Sequence, residues 1–146
     1  MNYIPVIKLR QEVIQETPIK LKKLNNVNNV VSHAQELIGD YDRETVIVFG
    51  LNTKMDINFI STVSVGSLNS TVVHPREIFK ACIVRNCAQL IIAHNHPSGD
   101  VSPSAEDFRF TNRICEAGKL LGIEVTDHVI VSPTEYYSFV EKGHIK

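Results

Sequence analysis

Two short runs of apolar, largely β-branched residues constrain this chain more than any other feature. Thr45–Leu51 reads TVIVFGL and Leu90–Ala93 reads LIIA. A strand with one wet face alternates apolar and polar residues; an uninterrupted apolar run suits a strand covered on both faces. Covering such strands takes flanking helices, and the chain offers three. Val30, Val31, Ala34, Leu37 and Ile38 recur at helical spacing and predict a helix from about Asn29 to Gly39. His74–Pro75 opens a second, with Glu77 in its first turn and an apolar stripe of Ile78, Phe79, Cys82 and Ile83. Ser104–Leu121 forms a third, with Phe110, Ile114, Ala117 and Leu121 sharing a face and Gly122 at its stop. Asn52–Lys54 reads as a turn and Asp56–Val65 as an alternating strand that changes face. Ile123–Val131 and Tyr136–Val140 read as the last strands. The expected product is an α/β fold with a mixed sheet flanked by helices, over residues 29–146, after an amino-terminal arm of residues 1–28.

The bulk numbers narrow the function classes. The chain has 146 residues, 43% of them hydrophobic, which suits one domain with a sizeable core. A formal net charge of -1 gives no overall field favouring nucleic acid or an anionic membrane. The densest basic run, Lys8–Arg10 with Lys20, Lys22 and Lys23, is expected to be a solvated arm. Neither a membrane-spanning run nor a signal peptide is evident. Cys82, Cys87 and Cys115 are odd in number and lack CxxC spacing, so they read as small buried hydrophobes in a reducing compartment. Five positions apart, Cys82 and Cys87 would point in different directions on a helix. The expected location is the cytoplasm.

The chemistry lies in His94-Asn95-His96-Pro97-Ser98-Gly99-Asp100-Val101-Ser102-Pro103-Ser104-Ala105-Glu106-Asp107. In extended backbone, residues two apart point the same way, so His94 and His96 at a strand end can converge on one metal. Pro97 keeps His96 extended. Residues 94–101 read as a loop in which Pro97–Asp100 reverses the chain, Asp100 shaping the turn. Asp107 then lies in the first turn of the next helix, where it can return to the strand end. A His₂Asp set leaves a fourth tetrahedral position for water, the pattern of a catalytic zinc site. Asp107 also fits a capping box with Ser104 as N-cap. Asn95 faces away from the ligands, His74 sits by a helix cap, and His128 reads as a core histidine or a partner to a ligand.

His-x-His, seven residues, Ser, two residues, Asp resembles the JAMM motif of MPN-type zinc peptidases. His94, His96, Ser104 and Asp107 match every fixed position. The wording HNHPSGDVSPSAED resembles the RadC branch of that family, as do Val73–Glu77 and Thr126–Val131. The resemblance implies a JAB/MPN-like domain with cytidine-deaminase-like architecture, a zinc ion on His94, His96 and Asp107, and hydrolysis of peptide or isopeptide bonds. It implies Glu44 as general acid/base and Ser104 as a donor to the oxyanion. Without the resemblance, Glu44 would read as an exposed charge at a strand entry. Glu77, the rival carboxylate, is explained by its helix start.

Full-length RadC proteins usually carry a helix-hairpin-helix region, and too few residues precede the domain here to form one. The expected partner is a protein or peptide substrate; the charge lends nucleic acid no support. The alternative is a module associated with DNA repair or mobile DNA in which zinc is structural. A nucleobase deaminase would need a His-x-Glu and Pro-Cys-x-x-Cys signature, and this chain has neither.

Overall fold

The computed structural model describes residues 1–20, 22–66 and 73–146. Its elements are α1 (Val27–Ile38), β1 (Thr45–Leu51), β2 (Ile57–Val65), α2 (Pro75–Val84), β3 (Gln89–Asn95), α3 (Ala105–Leu121), β4 (Glu124–Val131) and β5 (Tyr136–Ser138). The strands form one open mixed sheet in the order β2-β1-β3-β4-β5. Among the described residues only β3 and β4 run parallel, and α3 makes the crossover between them.

Alternate residues of the central strands enter two cores. Val46, Val48, Leu90, Ile92 and Ile130 face α2 and α3, with Ile78, Phe79, Cys82 and Ile114. Ile47, Phe49, Ile91, Ala93 and Val129 face α1, with Val30, Ala34 and Ile38. The apolar runs are therefore covered on both sides, and this is the mixed α/β sandwich expected from the sequence. Before α1, Leu24 is buried in the α1 core, its N–H bonded to the Met55 carbonyl at 2.9 Å. Residues 1–20 form no helix or strand and are exposed, Lys8 and Arg10 included.

Four details differ from the sequence reading. Strand β3 runs on through His94 and Asn95, which the turn-rich wording had assigned to a loop. Ladder bonds to β4 hold them there, up to Asn95 opposite Val131. In α2, Ile83 is 52% exposed, since the helix buries Ile78, Phe79 and Cys82 and turns Ile83 past them. In α3, Leu121 is also 48% exposed, and the buried line is Asp107, Thr111, Ile114 and Gly118. The helix is turned so that Asp107 faces the end of β3 and Gly118 meets the entry to β4. Finally, α2 ends at Val84, so Cys87 is off the helix and its thiol meets that of Cys82. Burial, then that neighbour, pushes the Cys82 thiol up to about 12, which leaves it unreactive.

At Gly118, α3 packs closely against the chain that enters β4. A Cβ there would lie 2.5 Å from the Ile123 backbone oxygen. Gly118→Ala gains helix propensity but forces the helix outward. The expected cost is about 1–3 kcal/mol, a fall of roughly 3–10 °C in Tm by calorimetry. An unchanged Tm would show that the helix has room at this point.

Candidate metal centre

The residues of the expected site meet at the end of β3 that points toward the start of β1. On β3, His94 shares a face with Leu90 and Ile92, which aims it at α3. His96 follows two residues on, its N–H bonded to the Val131 carbonyl at 3.0 Å. Asp107 stands at the third position of α3. Glu44 immediately precedes β1, whose Val46 lies opposite His94. One donor atom each from Glu44, His94, His96 and Asp107 lies within 4.8 Å of the others, a group that could hold a metal ion.

The geometry discriminates among the four. His94 Nε2 and His96 Nε2 are 3.1 Å apart. Asp107 Oδ1 is 3.4 Å from His94 Nε2, and Oδ2 is 3.3 Å from His96 Nε2. Bonds of 2.0–2.1 Å to a tetrahedral ion set its ligand atoms about 3.3–3.4 Å apart, so these spacings fit. The Glu44 carboxylate stands farther out, 3.7 Å from His94 Nε2 and 18% exposed. Three donors thus converge, and the fourth group flanks them on the more open side.

Hydrogen bonds settle the tautomers. Thr111 Oγ1 donates to the Asp107 carbonyl at 2.8 Å. The same oxygen lies 2.6 Å from His128 Nδ1, so it must accept there, and His128 Nδ1 carries the proton. His128 Nε2 then accepts from His94 Nδ1 at 2.7 Å. His96 Nδ1 faces the Asp100 carbonyl at 2.8 Å and must donate. Both Nε2 atoms are left with lone pairs aimed at one another and at a carboxylate. A cation relieves that opposition, and this is the observation that the residues fit a divalent metal.

The titration shifts describe the same centre with a proton standing where a cation would. Burial raises Asp107, but hydrogen bonds from His94 and His96, the charge of His94 and the Ser104 N–H outweigh it and hold the carboxyl well below the usual range. Burial lowers His96, but the Asp107 carboxylate and the Asp100 carbonyl outweigh it and hold the imidazole above its ordinary value. A carboxylate that draws a proton to His96 draws a metal to the same point. Burial, then the neighbouring His94, pushes His128 well below its ordinary value and keeps it neutral. Burial raises Glu44, ahead of the lowering by His94 and His96.

Ser104 and Asp107 form a complete capping box. Ser104 Oγ accepts from Asp107 N–H at 3.1 Å, and Asp107 Oδ2 accepts from Ser104 N–H at 2.9 Å. The cap and the approach to the histidines therefore coexist. Ser104 keeps its hydroxyl proton free to donate. Asp100 shapes the loop: its carboxylate accepts from Ser102 N–H at 3.0 Å and is not in the metal group. His74 is itself the N-cap of α2, Nδ1 accepting from Arg76 N–H at 3.1 Å. Glu77 pairs with Arg76 and Lys80, away from the centre.

Two contributors escaped the sequence reading. Thr111 lies one turn beyond Asp107 on α3, and that i+4 spacing was the available signal. Asn95 does face away from the ligands, yet it is buried and bonds the chain around Glu44. Thr111→Val removes the acceptor that orients His128 and so His94. Zinc affinity should fall about 10- to 100-fold, measured by competition with a chromophoric chelator, while Thr111→Ser keeps it. Equal affinity in Thr111→Val would show that the orientation of His94 does not depend on Thr111.

A family model described as a RadC-like JAB domain matches residues 24–144. A UPF0758 protein of Alkaliphilus metalliredigens is 46% identical over 124 residues, covering 85% of this chain and 52% of the relative. Another from Desulfitobacterium hafniense is 42% identical over 137 residues, covering 94% and 60%. One from Methanosarcina mazei is 39% identical over 137 residues, covering 94% and 59%. The chain spans about half to three fifths of these relatives' length. The chain belongs to the RadC family of JAB-domain proteins and carries that family's JAMM motif.

Proposed function

We propose that the chain is a zinc-dependent hydrolase of peptide or isopeptide bonds, with His94, His96 and Asp107 as ligands and Glu44 as general acid/base. The single observation that carries the reading is the placement of Glu44. It is a partly buried carboxylate beside three converging donors, on their open side. A fourth group, a carboxylate, held at that distance has a use in proton transfer and none in a metal site that only staples a fold.

When bound, zinc would supply Lewis-acid activation of water, worth a fall to about 7 in the pKa of that water. The chain's own residues supply the rest. Burial raises the Glu44 carboxyl, which suits a group that takes a proton from water and returns it to the departing amine nitrogen. Ser104, its oxygen engaged by the helix cap, has its hydroxyl proton available for the oxyanion of the scissile carbonyl. His128 and Thr111 hold His94 in the tautomer that presents Nε2. The Asp100 carbonyl does the same for His96.

The substrate in this reading is a protein or peptide, and the compartment is the cytoplasm, which suits three unpaired cysteines. Among the described residues no helix is long and apolar enough to cross a membrane. The alternative of a nucleic-acid-associated module with structural zinc has no feature of the centre in its favour.

Elemental analysis of the purified chain should find one zinc. His96→Ala and Asp107→Asn should each lose most of it. Glu44→Gln should keep the metal and lose about 10²–10⁴-fold in rate on a substrate found by mass-spectrometric search for cleaved partners. Cleavage by Glu44→Gln at the wild-type rate would remove Glu44 from the mechanism.

A further inference from the structure

The ladder between β1 and β3 ends at the rung of Val46 and His94. The same register continued would set Thr45 opposite Asn95 and Glu44 opposite His96. The backbones do not continue it. Thr45 N–H goes to the side chain of Asn95, while β3 keeps its ladder to β4 through His96 N–H and the Val131 carbonyl; Pro97, the next residue whose backbone would face β1, has no N–H to give. The divergence makes room for the metal ligands, but it removes the partner of β1 just where Glu44 has to be held.

Asn95 fills the missing rung with its side chain. It lies on the α1 side of β3, opposite the face of His94, and it is fully buried. Its Oδ1 accepts from Thr45 N–H at 2.7 Å. Its Nδ2 donates to the Arg43 carbonyl at 3.0 Å and to the Tyr41 carbonyl at 3.2 Å. The backbone is thereby gripped on both sides of Glu44. On the far side of β1, next to β2, Gly66 N–H donates to the Glu44 carbonyl at 2.6 Å. We infer that Asn95, the unspecified middle residue of His-x-His, is the positioning residue for Glu44. It sets the place of that carboxylate relative to the ligands on its own strand without touching the ion or the substrate. The inference rests on the role given to Glu44 above.

The chemistry selects an amide. One acceptor and two donors on a short planar head are required, and only Asn has them at this length. Aspartate keeps the shape but loses both donors and turns a charge toward two carbonyls. Alanine takes the partner from Thr45 N–H and from the Tyr41 carbonyl, and leaves the Arg43 carbonyl with the Thr45 hydroxyl alone.

The test compares zinc-loaded wild type, Asn95→Ala, Asn95→Asp, Glu44→Gln and the double variant Asn95→Ala/Glu44→Gln. All should hold one zinc. Amide hydrogen exchange over residues 41–45 should rise at least about tenfold in both Asn95 variants, with α3 and β4 unchanged. Hydrolysis by Asn95→Ala should fall about 10²-fold. The double variant should be no slower than Glu44→Gln alone, because Asn95 acts through Glu44. Wild-type exchange over 41–45, or losses that multiply in the double variant, would overturn the inference. If Asn95→Ala does not fold, the exchange pattern of Asn95→Asp decides. Absence of hydrolysis in the wild type would sink the hydrolase reading, while the exchange measurement would still judge the grip on residues 41–45.

Discussion

Two imidazole nitrogens face each other 3.1 Å apart with their protons committed elsewhere, and a carboxylate closes the triangle. Left to themselves, three lone-pair donors in a buried pocket repel one another and lose the water that would have solvated them. A divalent cation reverses the sign of that interaction. The surrounding bonds make sense in this light: Thr111, His128 and the Asp100 carbonyl each remove a proton from the converging side and place it on the far side of a ring.

The fold delivers these groups through a local parting of strands. Strand β3 is held between β1 and β4 along its apolar length; beyond His94 it stays with β4 and leaves β1. The cleft opens at the carboxyl ends of the parallel pair β3 and β4, next to the start of the crossover helix. Such places gather ligands in α/β sheets generally. Here the helix start contributes a side chain as well as its dipole. Asp107 caps α3 through Oδ2 and still offers both oxygens toward the histidines.

Much of this was legible in the sequence, for identifiable reasons. TVIVFGL and LIIA announced strands with two dry faces, and the two cores lie on either side of them. The spacing of His94, His96, Ser104 and Asp107 located the centre because the spacing in the chain reflects the geometry of the turn. Glu44 was visible only through family resemblance: nothing near it in the chain says that an antiparallel neighbour will carry it to His94. The rotation of α3 was misread because apolar periodicity favoured Leu121, while the true inward line includes a buried aspartate and a glycine. The role of Asn95 was hidden for a similar reason. Its partners are backbone groups 50 or more residues away, and backbone groups leave no mark in a sequence.

The convergence itself can be measured without a substrate. X-ray absorption at the zinc edge of the purified, zinc-loaded chain reports the atoms around the ion and their distances. The account predicts two imidazole nitrogens and oxygen donors at about 2.0–2.1 Å, with no sulfur in the shell. Sulfur ligation, or a shell without imidazole, would contradict it.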